Sequence, residues 1–322
     1  MQLLSIDPHN IPKTGDDRPV ATLFRYVIRM SGNHQVWVCL VAACVALLTM
    51  APLELQRRLV NDVIVAGDME LLLLLGSLYL AVLVVQGLMK VALRLYQSWL
   101  SESAIRYNRL HLSRVYERRT AENDEESGGR AVSIIGAEID RLGGFVGEGF
   151  SQPVVNIGIL LSVGGFMLVV EPFIAAVSLV FLVPQVILVP WFQSWINRLL
   201  ERRLGLMRDL SDTISELSSD GSEIGDTQLP KQVDDIYRNR IKLLFVKFGT
   251  KGITNFLNAL GPLCVLVFGG VMVIQGETTI GTIVAFVSGF DRLSNPLREM
   301  ISYYRVAAQA NVQHKMIAKW IT

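Results

Sequence analysis

Residues 276–322 read GETTIGTIVAFVSGFDRLSNPLREMISYYRVAAQANVQHKMIAKWIT. This stretch is apolar from Ile280 to Phe290 and then becomes polar and amphipathic, with Pro296 as its one proline. A helix of this extent is roughly 55–60 Å long, about twice the hydrocarbon thickness of a bilayer. The stretch therefore predicts a helix that crosses a membrane and continues well beyond it into the cytoplasm.

The composition also indicates a membrane protein. The chain has 322 residues, of which 51% are hydrophobic and 18% are charged. A soluble domain of this size would carry charges at about a quarter of its positions. The apolar residues are gathered in long blocks, which is typical of a polytopic membrane protein. The formal net charge of +1 gives no indication of a nucleic-acid partner. We therefore expect an all-α protein embedded in a lipid bilayer.

The apolar blocks predict six transmembrane helices. They cover approximately residues 35–55, 70–88, 153–170, 173–195, 253–274 and 280 onward. The second helix should continue to Arg119 and the fourth to Leu217, so both should project far beyond the lipid. Breaks are expected at Thr120–Gly129 and at Ser218–Glu223, where small and acidic residues accumulate.

The distribution of basic residues predicts the orientation of the helices. With six spans, every Lys and Arg except Arg57 and Arg58 falls on one side, which the positive-inside rule makes the cytoplasmic side. Both termini should then be cytoplasmic in a multi-pass protein of the plasma (inner) membrane. We expect residues 1–17 to be a disordered cytoplasmic tail. Residues 18–30 predict an amphipathic helix on the membrane surface, with one face formed by Leu23, Phe24, Val27 and Ile28.

No enzymatic motif is evident in the sequence. An ATP-binding loop needs a Gly-rich backbone followed by Gly-Lys, and the sequence contains no Gly-Lys dipeptide. The segment GGFVGEG, residues 143–149, lacks the lysine, and its Gly143/Gly147 spacing favours close helix packing. The histidines are scattered over different segments. We therefore expect no catalytic, metal or cofactor site in this chain.

Three short motifs resemble a known family. They are GTIVAF at 281–286, NPL at 295–297 and QAN at 309–311, leading to Ile317. In this order they resemble the last transmembrane helix of the ATP-binding-cassette (ABC) exporters. The resemblance extends from about Arg18 onward and implies a six-helix exporter-type transmembrane domain over residues 18–322, beginning with an elbow helix. It also implies a second transmembrane subunit, which forms a homodimer or a heterodimer with this chain, and a separate ABC ATPase subunit that binds ATP and Mg.

The same resemblance implies two cytoplasmic tips that dock into the ATPase, within residues 122–136 and 216–229. Stiff helical rods ending in compact tips are suited to transmit displacement. The alternative is that both tips are ordinary solvated acidic loops. The residues expected to couple to the ATPase are Glu122, Asp124, Glu125, Glu126, Gly129, Gly221, Glu223 and Ile224.

Polar residues at membrane depth predict a cavity. Asp291 and Arg292 fall roughly 17 Å into the sixth span, where a charge costs several kcal/mol unless it is paired or faces water. One interpretation is a polar cavity that contacts substrate; the other is a structural network below the lipid boundary. Lys90 is expected to snorkel to the interface. The candidate cavity residues are Asp291, Arg292, Asn295, Asn258, Asn156 and Arg94.

Two functions of different classes follow from these observations. The leading hypothesis is the permease subunit of an ABC transporter, moving substrate by alternating access driven by a separate ATPase. The alternative is a non-transporting scaffold or regulator, or a truncated relic, that keeps the fold. A secondary transporter fits less well, because its halves should contain matched broken helices at mid-membrane. Export and import, and any substrate class, are compatible with the pattern.

Overall fold

The computed structural model describes residues 20–64, 67–121, 136, 138–220 and 229–321. Within these ranges every regular element is a helix, as the sequence predicts. A short π-helix, Leu59–Ile64, follows the third α-helix. The α-helices are α1 (Leu23–Ser31), α2 (His34–Leu48), α3 (Ala51–Arg58), α4 (Met69–Ala121), α5 (Ile139–Glu148), α6 (Ser151–Val170), α7 (Pro172–Val180), α8 (Val183–Asp220), α9 (Leu229–Ile274) and α10 (Ile280–Ile321).

Four of these helices are far longer than a bilayer is thick. Helices α4, α8, α9 and α10 contain 53, 38, 46 and 42 residues. At 1.5 Å per residue they are between roughly 55 and 80 Å long, against about 30 Å of hydrocarbon. The prediction that α4 and α10 run on without a break is confirmed, and Pro296 lies inside α10.

Five segments are long and apolar enough to cross a membrane by length and composition. They are His34–Val63, Met69–Glu117, Ser151–Val170, Pro172–Ser215 and Leu229–Ile274. These segments contain the first five predicted spans. Helix α10 is not among them, and its apolar run ends at Phe290, directly before Asp291 and Arg292. The sixth span stays a prediction.

The first predicted span lies within one candidate membrane segment, His34–Val63, but the α-helix is interrupted inside it. Helix α2 ends at Leu48, and α3 begins at Ala51 after a turn at Thr49 and Met50. Pro52 lies in the first turn of α3, where its missing N–H is tolerated. The fourth span is interrupted in the same way, because a turn at residues 181–182 separates α7 from α8 shortly before Pro184.

The chain forms two compact units, Met1–Ala175 with Gly270–Thr322, and Ala176–Gly269. In the first unit, α4 packs on α5, α2 packs on α6, and α10 packs on α3, α5 and α6. Its main core joins α1, α4, α5 and α10 through buried side chains that include Val27, Leu112, Phe145 and Ile317.

The second unit consists mainly of α8 and α9, which run antiparallel. Gln185 Nε2 donates to Asn258 Oδ1 at 2.9 Å, and Asn239 Nδ2 donates to the Leu199 carbonyl at 3.0 Å. A third hydrogen bond joins Gln232 to Thr213 at 2.9 Å. Three polar contacts therefore hold this pair together along much of its length.

The N-terminal surface helix begins later than predicted. Thr22 caps α1 by accepting a hydrogen bond from the Arg25 N–H at 3.4 Å. The predicted apolar face is divided, because Leu23 and Val27 are buried whereas Phe24 and Ile28 are about half exposed. Tyr26 and Met30 complete the buried face instead. The predicted tail, residues 1–17, lies outside the described residues.

Helices α4 and α5 approach each other closely at two glycines. A Cβ at Gly147 would overlap the backbone carbonyl of Gln97, and one at Gly143 would overlap the Ile105 side chain. This confirms the interpretation of the Gly143/Gly147 spacing as close helix packing.

Candidate functional site

A cavity of about 410 Å³ lies in the first unit, between α2, α4, α6 and α10. This volume is in the range of small-molecule sites. Uncharged polar side chains from α4, α6, α10 and the turn after α2 line it, among them Thr49, Gln86, Gln97, Asn156 and Asn295. Its charged lining residues are Lys90, Arg94, Arg292 and Glu299.

Arg292 is held at the break between α2 and α3. Its Nη1 donates to the Thr49 carbonyl at 3.2 Å, and Gln86 Nε2 donates to Thr49 Oγ1 at 3.1 Å. The last carbonyls of a helix lack partners within that helix, so the end of α2 offers an acceptor at membrane depth. A guanidinium carries five N–H donors, so Arg292 keeps donors available for the cavity.

Lys90 and Arg94 stand one turn apart on the same face of α4. Arg94 Nη1 lies 3.4 Å from Glu148 Oε1, and both side chains are about half exposed or more, so this ion pair is weak. Among the described residues, no carboxylate lies within 4.0 Å of Lys90 or Arg292. Two of the three cations in the wall are therefore not neutralised by a neighbouring carboxylate.

This charge distribution favours a hydrated cavity. The lining contains three basic side chains and one acidic side chain, Glu299. Cations at membrane depth are costly unless they face water, a counter-ion or a bundle interior. The cavity supplies that environment and carries a positive field.

Two buried amide groups in the wall each have one atom without a hydrogen-bond partner in the described structure. Asn156 is 3% exposed, and its Nδ2 has no hydrogen-bond partner in the described structure. The Oε1 atom of Gln97 is also without a partner, although its Nε2 donates to Ser151 Oγ at 2.7 Å. Buried polar atoms are normally satisfied, so water or a polar ligand is the expected partner of these two atoms.

The cavity contains four of the six residues predicted to line one: Arg94, Asn156, Arg292 and Asn295. The other two lie outside this cavity, and their predicted role stays a prediction. Asp291 is exposed and is not part of the wall, because consecutive residues on a helix point about 100° apart. Asn258 lies on α9 in the second unit and bonds to Gln185. Whether the four contact substrate stays a prediction.

Lys90 was expected at the interface, and the structure places it in the cavity wall. Gln86 and Gln97 were not singled out at all. A signal was present in the sequence, because Gln86, Lys90, Arg94 and Gln97 recur every three or four residues on α4. That spacing places polar side chains on one face of a helix that is otherwise apolar in its first half.

The predicted ATPase-coupling residues lie outside the described residues. They are Glu122, Asp124, Glu125, Glu126, Gly129, Gly221, Glu223 and Ile224. The helix that follows the first group, α5, is packed against the body: Ile139 and Leu142 are buried, and Asp140 accepts from Arg109 Nη2 on α4 at 2.6 Å. From Ile139 onward α5 therefore belongs to the packed body of the first unit.

Two comparisons with known proteins agree with this architecture. A family model described as the ABC transporter transmembrane region matches residues 36–217 and 227–297. The putative multidrug export ATP-binding/permease protein YgaD of Bacillus subtilis (strain 168) is 43% identical over 53 residues. That match covers 16% of this chain and 9% of the length of the relative.

Proposed function

Because this chain belongs to the family of ABC transporter transmembrane regions, we propose that it is the permease subunit of an ATP-driven transporter whose ATPase is a separate polypeptide. Two permease subunits, identical or different, together form the pore. Each contributes six spans, with α10 as the sixth, and keeps both termini in the cytoplasm at the plasma (inner) membrane.

The observation that carries this proposal is the length of α4, α8, α9 and α10. Each exceeds the bilayer by roughly 25 Å or more. Helix α4 ends at Ala121, directly before the first predicted tip. The second predicted tip, residues 216–229, includes the last residues of α8 and the first residue of α9. Continuous helices are stiff, so a displacement at either tip would be transmitted into the membrane.

In this mechanism the ATPase subunits close when they bind ATP and Mg, and their movement displaces the tips. The helices then switch the cavity from facing the cytoplasm to facing the outside. Residues 1–322 contain no Gly-Lys phosphate-binding motif, and in this proposal ATP is hydrolysed by the ABC ATPase subunit. The cavity with Arg292, Lys90 and Asn156 is the place where substrate binds.

Removing the charge of the first tip tests the coupling. A variant with Glu122, Asp124, Glu125 and Glu126 changed to their amides should insert normally, yet ATP hydrolysis should no longer depend on transport. The matched control is Glu117→Gln, which removes one exposed charge from α4 before the tip. Unchanged coupling in the tip variant would refute the docking role.

Purification from native membranes separates this function from the alternative. A nucleotide-binding polypeptide that co-purifies with the chain in stoichiometric amount supports the transporter. Its absence would favour a non-transporting scaffold or regulator that keeps the same fold.

A further inference from the structure

We propose that the cavity lined by Lys90, Arg94 and Arg292 binds an amphiphilic organic anion, a molecule with one carboxylate, sulfonate or phosphate group and an apolar body. The inference rests on the proposed function, because it names the class of substrate for the same site. It goes beyond that function because a permease cavity could equally be neutral or acidic.

The charge of the wall carries the first part of the argument. The lining contains three basic side chains and one carboxylate, that of Glu299. In the described structure, the only ion pair within 4.0 Å that these three basic side chains form is Arg94 with Glu148. Glu148 does not belong to the lining, and both members of that pair are largely exposed. Lys90 and Arg292 are therefore available to an anion that enters the cavity.

Asn156 carries the second part. It is 3% exposed and lies in the wall with its Nδ2 donor unpaired among the described residues. An oxyanion accepts several hydrogen bonds, so an anionic group satisfies this amide together with the cations. Gln97 Oε1, the unpaired acceptor in the same wall, is complementary to a hydroxyl group or a water molecule next to the anion.

The rest of the wall indicates an apolar body on the ligand. Apolar side chains from three helices share the cavity, namely Val45, Leu93, Val155 and Ile159. A cavity of about 410 Å³ accommodates a ligand larger than an inorganic ion. Both chemical surfaces of the cavity are matched by one amphiphilic anion.

The test measures binding to the full chain in nanodiscs of phosphatidylcholine, which carries no net charge. The probes are dansyl-labelled undecanoate and a dansyl-labelled undecyl trimethylammonium with the same chain length, followed by fluorescence anisotropy. We expect the anion to bind roughly tenfold or more tightly than the cation. Equal affinities, tighter binding of the cation, or no binding of the anion would overturn the proposal.

Variants locate the binding. Lys90→Gln and Arg292→Gln should each weaken anion binding by roughly 10- to 100-fold and leave cation binding unchanged or improved. Arg292→Lys, which keeps the charge, should retain much of the affinity and shows that the site still folds. The control Lys251→Gln removes an exposed cation of α9 outside the cavity and should change neither affinity. If Lys251→Gln weakens binding of the anion as much as Arg292→Gln does, the cavity is not the binding site.

Competition identifies the source of the anion. Displacement of the probe by phosphatidylglycerol added to the nanodiscs assigns a lipid headgroup, and displacement by soluble octanoate assigns a free organic anion. The binding assay needs no ATPase. A failure to bind the anion would therefore refute the anion-site proposal without contradicting the transporter proposal. Conversely, the absence of an ATPase partner would refute the proposed transport function, and the anion site could still be tested by the binding assay.

Discussion

Replacing Gly147 with alanine tests the close packing that builds one wall of the cavity. A Cβ at this position meets the backbone carbonyl of Gln97 and the Oγ of Ser101. Neither helix can give way without moving Gln97, which lines the cavity and bonds to Ser151 at 2.7 Å. Gly144 on the same helix is the matched control, because a Cβ there would have no neighbour within 4 Å.

The two substitutions should change the free energy of unfolding in opposite directions. Glycine to alanine inside a helix gains about 0.5–1 kcal/mol where nothing obstructs the methyl group. At Gly147 this gain is outweighed by overpacking, which costs about 1–3 kcal/mol. Both variants share the gain, so their free energies of unfolding should differ by the overpacking cost, about 1–3 kcal/mol. With about 2–4 °C per kcal/mol, Gly147→Ala should unfold roughly 2–12 °C below Gly144→Ala.

The assay is thermal unfolding of the purified full chain, followed by the loss of the monodisperse peak in size-exclusion chromatography after heating. Probe binding in the cavity should weaken in Gly147→Ala and stay unchanged in Gly144→Ala. If the two variants melt at the same temperature, α4 and α5 are not in the contact described, and the geometry of that cavity wall fails with it.

Two further predictions concern contacts of α10. Tyr303→Phe removes the hydrogen bond from the Tyr303 hydroxyl to the Gly149 carbonyl (2.6 Å) and should lower the stability by about 1 kcal/mol in the same thermal assay. Tyr304→Phe, at a position 78% exposed, should not change the stability. An equal loss of stability in the two variants would contradict the account. His314 lies beside Tyr26 of α1, and burial, aided by the charge of Lys315, lowers the pKa of His314 below its ordinary value of 6.5. The undocked state therefore binds more protons, so the docking of α1 should be at full strength above about pH 6.5 and weaken as the pH falls below it. Hydrogen exchange of the α1 amides at pH 7.5 and 5.5, corrected for intrinsic rates, should show this loss in the native chain and not in His314→Gln; identical protection at both pH values in the native chain would refute it.

The long helices could be predicted from the sequence because their signal is local. Between Glu70 and Arg119 there is no proline, and the amphipathic region after Phe290 contains only Pro296. Pro184 and Pro190 predict a kink in the fourth span, whereas the sequence does not predict the break inside the first span. A proline marks where a backbone donor is missing, but whether the helix bends or ends there depends on what the freed carbonyls bind. Here Arg292, far away in the sequence, binds the carbonyl of Thr49.

The cavity was only partly predictable for a related reason. Distance along a helix gives depth in the membrane. From depth alone, Asp291 and Arg292 are both predicted to line the cavity. Which of two neighbours faces a cavity depends on the rotation of the helix, which packing against α3, α5 and α6 determines. The polar stripe of Gln86, Lys90 and Gln97 was readable from its spacing, whereas its meeting with α10 required the fold.

The central claim is that the long helices leave the membrane on the cytoplasmic side and extend far beyond it. Single cysteines at Leu110 of α4 and at Glu277, in the turn between α9 and α10, test this claim once Cys39, Cys44 and Cys264 are replaced by alanine. Both positions are exposed. A membrane-impermeant maleimide should label position 110 only in inside-out vesicles and position 277 only in intact cells. Labelling of position 110 from outside, or its protection from both sides by lipid, would contradict the account.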